Sequence, residues 1–189
     1  GGYFFMYKEI KKIAISALLV ALGVVFSRFL SIPLSLGGSY SLNIGFGLLP
    51  IIVLCVLYGP VYGTIGALAW DLIGALLFPQ GAFVIWFTLA SGVFGFVTGM
   101  FFIKNARPTI ARIAVATACG QIIYSVLLNS FLISLLYNVP FMVLFVPRAI
   151  ENAIMIVVNT LLVSILVFAI KKVNIMPERF CEKTETEQY

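Results

Sequence analysis

Six long apolar runs separated by short breaks dominate this chain of 189 residues. A helix needs about 20 mainly apolar residues to cross a bilayer. The candidate spans are Ile10 to Ile32, Leu42 to Leu57, Pro60 to Phe78, Phe83 to Ile103, Thr109 to Tyr137 and Val146 to Ile170. Proline, glycine and asparagine punctuate the breaks, at Pro33 with Gly37-Gly38, Gly59-Pro60, Pro79-Gln80-Gly81, Asn105 to Pro108 and Asn138 to Pro140. The runs lack the polar alternation of transmembrane strands. The expectation is an all-α membrane protein, a six-transmembrane-helix bundle forming one domain over residues 1–189.

Composition supports this. Hydrophobic residues make up 62% and charged residues 10%, against roughly a quarter charged in soluble domains. There is no histidine, and the three cysteines, Cys55, Cys119 and Cys181, have no paired or metal-ligand spacing. No metal or cofactor is expected. The stretch Gly1 to Phe5 precedes Met6, no cleavage signal follows the first run, and a cleaved signal peptide is not expected.

The net charge of +5 reports topology. Lys8, Lys11 and Lys12 flank the start of the first run; Lys104, Arg107 and Arg112 surround the fourth break; Lys171, Lys172, Arg179 and Lys183 follow the sixth run. Alternating helices put all three groups on one side. The positive-inside bias then makes both termini cytoplasmic, with residues 1–9 a cytoplasmic lead-in and 176–189 a polar cytoplasmic tail. The connections Pro33–Ser41, Pro79–Ala82 and Asn138–Phe145 fall outside.

Besides these end charges, four ionisable residues interrupt the runs: Arg28, Asp71, Arg148 and Glu151. Each would cost roughly 2.5–3.5 kcal/mol facing lipid on insertion scales. All four fall in the outer half of the expected bundle, which suggests one polar cavity opening outward. The alternative is a pair of internal salt bridges, Arg28–Asp71 and Arg148–Glu151. Trp70, Trp86, Gln121, Tyr124, Asn129 and Asn152 accompany the charges, an aromatic and polar set suited to a flat ring ligand. Either tryptophan also suits an interfacial anchor, and Asn159, near mid-bilayer, suits a bond between helices. No phosphate-cradling loop and no spaced catalytic group occurs, so the chain is not expected to be an enzyme.

Small residues recur at helix-packing spacing: Ala14, Ala17 and Ala21 on the first run, Gly59 with Gly63, and Gly95 with Gly99. The glycine pairs suit packing within the bundle. The alanines lie away from the charged cavity and suit a partner.

Together these features resemble the substrate-binding subunits, or S-components, of energy-coupling factor vitamin importers. The resemblance covers nearly the whole chain. It implies capture of a vitamin from outside at a prokaryotic plasma membrane, with partners that are a transmembrane coupling protein and two ATP-hydrolysing subunits. It assigns Ala14, Ala17 and Ala21 to the contact with the coupling protein. Leu42 to Pro50, Asp71 to Ala82, Leu128-Asn129 and Pro147-Arg148 with Asn152 look most like the folate-specific members. On that reading Asp71 accepts from the pterin's N–H groups, Arg28 or Arg148 pairs with the ligand's carboxylates, and the aromatic side chains stack on its rings. Glu151 departs from the basic residue expected there and makes the four charges sum to zero, which leaves room for another, less charged ring-containing vitamin or precursor. An ion-coupled secondary transporter and a purely structural membrane protein are the rival classes; the first usually carries inverted halves, and no internal repeat stands out.

Overall fold

The computed structural model describes residues 2–30, 32–35, 41–78, 84–103, 108–137 and 140–172. Six helices form the body: α1 (Gly2–Phe29), α2 (Leu48–Tyr58), α3 (Pro60–Leu77), α4 (Ile85–Met100), α5 and α6 (Phe141–Lys172). Helix α5 is continuous in three stretches: α-helical Ile110–Gln121, π-helical Ile122–Asn129 and α-helical Ser130–Tyr137.

The architecture is the expected helical bundle with one addition. Strand β1 (Ile32–Ser35) pairs antiparallel with β2 (Ser41–Ile44), Ile32 opposite Ile44 and Ser35 opposite Ser41. This hairpin takes residues expected to be helical at both flanks. Helix α1 stops at Phe29 rather than Ile32, because Pro33 disfavours helical backbone just before it. Helix α2 begins at Leu48 rather than Leu42.

Among the described residues, four segments are long and apolar enough to cross a membrane: Glu9–Phe29, Pro60–Leu77, Ile110–Leu136 and Phe145–Ile170. Helices α2 and α4 are shorter, 11 and 16 residues. The six expected spans are thus four full-length ones and two short ones. The lead-in at residues 2–8 is helical and continues α1. Helix α6 starts five residues before the expected Val146 and carries Pro147 in its second turn; proline there removes one backbone donor and crowds the carbonyl one turn back, which favours a local kink. The tail and the connections at 36–40, 79–83, 104–107 and 138–139 lie outside the described residues.

Helix α2 is apolar on every side, so it belongs in the centre, and Leu49 to Leu57 are all buried. It forms the axis of the hydrophobic core, with Phe94, Ile113, Val163 and Val167 around it. Gly59, at φ 80, turns the chain sharply from α2 to α3, and Pro60 opens α3. Helices α3 and α4 then lie in close contact. A side chain at Gly95 would strike the Gly63 carbonyl, and one at Gly99 would strike Pro60. The two glycine pairs therefore pack neighbours of the same bundle. Around this interior, α6 presents Ile150, Ile154, Val157, Leu161 and Ile165 outward at helical spacing, a surface suited to lipid tails. The chain is a multi-pass membrane protein.

Candidate functional site

The charged residues converge at one end of the bundle, where α1, α3 and α5 finish and α2 and α6 begin. They surround a cavity of about 430 Å³. Ligand pockets commonly measure 300–1,000 Å³.

Each wall follows from local structure. Arg28 lies in the last turn of α1 and donates from Nη2 to the Gly74 carbonyl at 2.8 Å, with its guanidinium 6.0 Å from the centre of the Phe78 ring. Helix α3 supplies Trp70, Asp71 and Gly74. Thr88 on α4, itself buried, donates to Asp71 Oδ2 at 2.8 Å. The Trp70 indole is held between backbones: a side chain at Gly47 would approach Trp70 Cζ2 to 3.0 Å and Ser27 Cβ to 2.5 Å.

The π segment of α5 supplies Tyr124, Ser125 and Asn129. Such irregular turns are concentrated at functional sites because they re-aim side chains within a helix. At its end the Ser130 amide returns to the Leu127 carbonyl. The Ser125 carbonyl instead accepts from Ser130 Oγ and from Arg148 Nη1, each at 3.4 Å. Tyr124 packs on Phe94 with ring centres 5.7 Å apart.

Helix α6 lines the fourth wall with Arg148, Glu151, Asn152, Met155 and Asn159. The spacing of three, four, seven and eleven residues from Arg148 puts them on one face. Asn152 Nδ2 donates to Ser125 Oγ at 2.9 Å and to the Arg148 carbonyl at 2.7 Å.

Eight of the nine ligand-site residues singled out in the sequence meet here: Arg28, Trp70, Asp71, Tyr124, Asn129, Arg148, Glu151 and Asn152. Trp86 does not. It sits in the first turn of α4, 58% exposed and absent from the described lining, because α4 turns its Thr88 face toward Asp71 instead. Neither Arg28–Asp71 nor Arg148–Glu151 closes an ion pair among the described residues; the partners are Gly74, Thr88 and Ser125. The charges thus line one shared space without contact ion pairs between them. Ser27, Gly45, Gly47, Ser125 and Met155 also line the cavity; of these, Gly45 and Gly47 fall in the Leu42 to Pro50 segment but were not named as site residues, and the others were not singled out. Ser125 had one signal, its place between Tyr124 and Asn129. The glycines had none, since their contribution is proximity.

Ala14, Ala17 and Ala21 are all exposed on α1 and outside the cavity lining. Nearer the start of α1, Glu9 accepts from Lys12 Nζ at 2.6 Å and from the Tyr62 hydroxyl at 3.2 Å. This clasp ties α1 to α3 and leaves the alanine face open.

Residues 11–167 match the family model described as "ECF transporter, substrate-specific component". Among curated relatives, the folate transporter FolT of Clostridium novyi (strain NT) is 28% identical over 82% of this chain and 87% of its own. The FolT of Leuconostoc mesenteroides is 26% identical over 78% and 79%. The crystal structure of FolT bound with folic acid superposes with a TM-score of 0.67, at 30% identity over 80% of this chain and 88% of that one. The S-component for biotin from an ECF-type ABC transporter shares the fold, with a TM-score of 0.57 at 22% identity over 82% and 92%.

Proposed function

The chain belongs to the substrate-specific components of ECF transporters, and from that premise we propose that it captures folate outside a prokaryotic plasma membrane for ATP-driven import. The observation that carries this reading is the cavity itself: two arginines, two aromatic rings and a set of neutral hydrogen-bonding groups at one end of a membrane bundle. Folate is a flat heterocycle joined to two carboxylates. Arg28 and Arg148 supply guanidinium forks for the carboxylates, and Trp70 and Tyr124 supply faces for its rings. Asp71 keeps one oxygen, Oδ1, for a ligand N–H. The curated relatives carry the folate name, and a related structure holds folic acid.

In this reading both termini are cytoplasmic and the cavity opens outward. The protein hydrolyses no ATP itself. A transmembrane coupling protein, docked on Ala14, Ala17 and Ala21, connects it to two ATPase subunits.

Glu151 supports a second reading. It brings the cavity's formal charge to zero, which favours a ring compound with fewer carboxylates than folate. Binding of purified protein to folic acid, riboflavin, thiamine and biotin separates the two. Nanomolar affinity for folic acid alone is the expected result. Tight binding of one of the others with none for folic acid would replace the substrate; no binding at all would remove the capture role. Uptake into liposomes holding this chain alone would favour a secondary transporter instead.

A further inference from the structure

The cavity's polar groups divide by depth. Near the bundle's end the protein engages Arg28 with Gly74, Asp71 with Thr88 and Asn152 with Ser125, leaving single atoms over at Arg28 Nε, Trp70 Nε1 and Asn129 Oδ1. At the inner end it does not. Gln121 is 1% exposed and Asn159 is fully buried, and both line the cavity. In each, both amide heteroatoms are without a hydrogen-bond partner among the described residues. A buried amide left unpaired is costly, and native interiors pair such groups with protein, water or ligand. Asn159 lies eleven residues beyond Arg148 on α6, about 16 Å along the helix axis. The inner end is therefore neutral and hydrogen-bonding, with Arg148 about 16 Å away along α6.

We propose that Gln121 and Asn159 form a donor–acceptor subsite that reads the edge of the ligand's heterocycle. A side-chain amide sets a C=O beside an N–H₂. Its complement is a ring edge with an N–H or amino group beside a carbonyl or ring nitrogen, the match by which Asn and Gln read adenine in DNA. A carboxylate at this depth would be a buried charge with no cation beside it, which is strongly unfavourable. The ligand consequently enters ring first, and its carboxylates stay with Arg28 and Arg148. This subsite rests on the vitamin-capture reading and moves the recognition of the ring edge inward from Asp71.

The test replaces each amide by an apolar side chain of similar size, Gln121→Met and Asn159→Leu, and measures binding of three probes. Folic acid carries ring and tail, pterin-6-carboxylic acid carries the ring, and p-aminobenzoyl-glutamate carries the tail. Each variant is expected to lose about 10- to 100-fold in affinity for the first two and to keep wild-type affinity for the third. Removing an unpaired buried amide also raises the melting temperature of the ligand-free protein, so a binding loss accompanied by stabilisation separates recognition from misfolding. Unchanged affinity for folic acid would mean that water alone satisfies the amides, and an equal loss for the tail probe would reverse the orientation; either overturns the subsite. A wild-type protein that binds pterin-6-carboxylic acid but not folic acid, with the same sensitivity to both variants, keeps the subsite and overturns the folate assignment. A wild-type protein that binds neither ring probe overturns both.

Discussion

At the scale of single residues, cost made the site visible. Arg28, Asp71, Arg148 and Glu151 stand out because a charge in an apolar run needs a reason, and all four reached the cavity. Gly47 carries no such mark. Its role is to let α2's leading edge approach Trp70 and Ser27, and only the packed structure exposes it. Gly47→Ala forces those neighbours apart, at about 1–3 kcal/mol for an overpacked contact. Its expected signature is a lower melting temperature together with weaker ligand binding, since Trp70 is the wall that moves. Calorimetry and ligand titration on the same preparation check this; a variant that binds normally would remove Trp70 from the site. Arg148 invites the complementary experiment. Arg148→Met keeps the bulk and removes the guanidinium. Affinity should fall about tenfold or more for folic acid, in the range of a lost charged hydrogen bond, and hardly at all for a ring ligand without carboxylates. Equal losses for both ligands would point to a structural role for Arg148.

At the scale of elements, periodicity and length gave six helices, yet two kinds of irregularity escaped them. The β1–β2 hairpin was hidden because Ile32 to Ser35 and Ser41 to Ile44 are only four residues each, at the edges of longer apolar runs, and so short a stretch does not distinguish strand from helix. The π segment was hidden because no proline or glycine marks Ile122 to Asn129; the register change shows only in which backbone groups meet. The glycine spacing, by contrast, was legible. It signals close helix approach whatever the fold, and Gly63, Gly95 and Gly99 meet the opposite backbone as that spacing predicts. Gly95→Ala should therefore push α3 from α4 and destabilise the bundle by about 1–3 kcal/mol. Since Gly95 is outside the cavity lining, the ligand affinity of the molecules that remain folded should change little. Melting curves with and without ligand separate these effects, and an undiminished melting temperature would show that the α3–α4 contact yields easily.

At the scale of the whole molecule, the proposed binding and docking surfaces share one helix. Arg28 closes α1 at the cavity, while Ala14, Ala17 and Ala21 lie along its middle, exposed. Hydropathy and charge could suggest this division, because a cavity needs buried polar groups and a docking face needs small ones. They could not show that the alanine face is uncovered, which depends on where α2 and α3 pack. Those helices take the side of α1 that carries Val20, Gly23 and Val24, all buried, and Tyr62 of α3 reaches Glu9 of α1 as well. A bulky residue at Ala17 or Ala21 consequently has room in the isolated protein and none beneath a tightly docked helix. Ala17→Trp and Ala21→Trp are each expected to leave ligand binding by the purified protein at the wild-type level. Both should abolish ATP-driven uptake when reconstituted with a coupling protein and its ATPases. Pull-down of the coupling protein should fall in parallel. Normal uptake by either variant would place the docking surface on another face of the bundle, and lost binding in the isolated variants would mean that the alanines serve the fold of α1 rather than a partner.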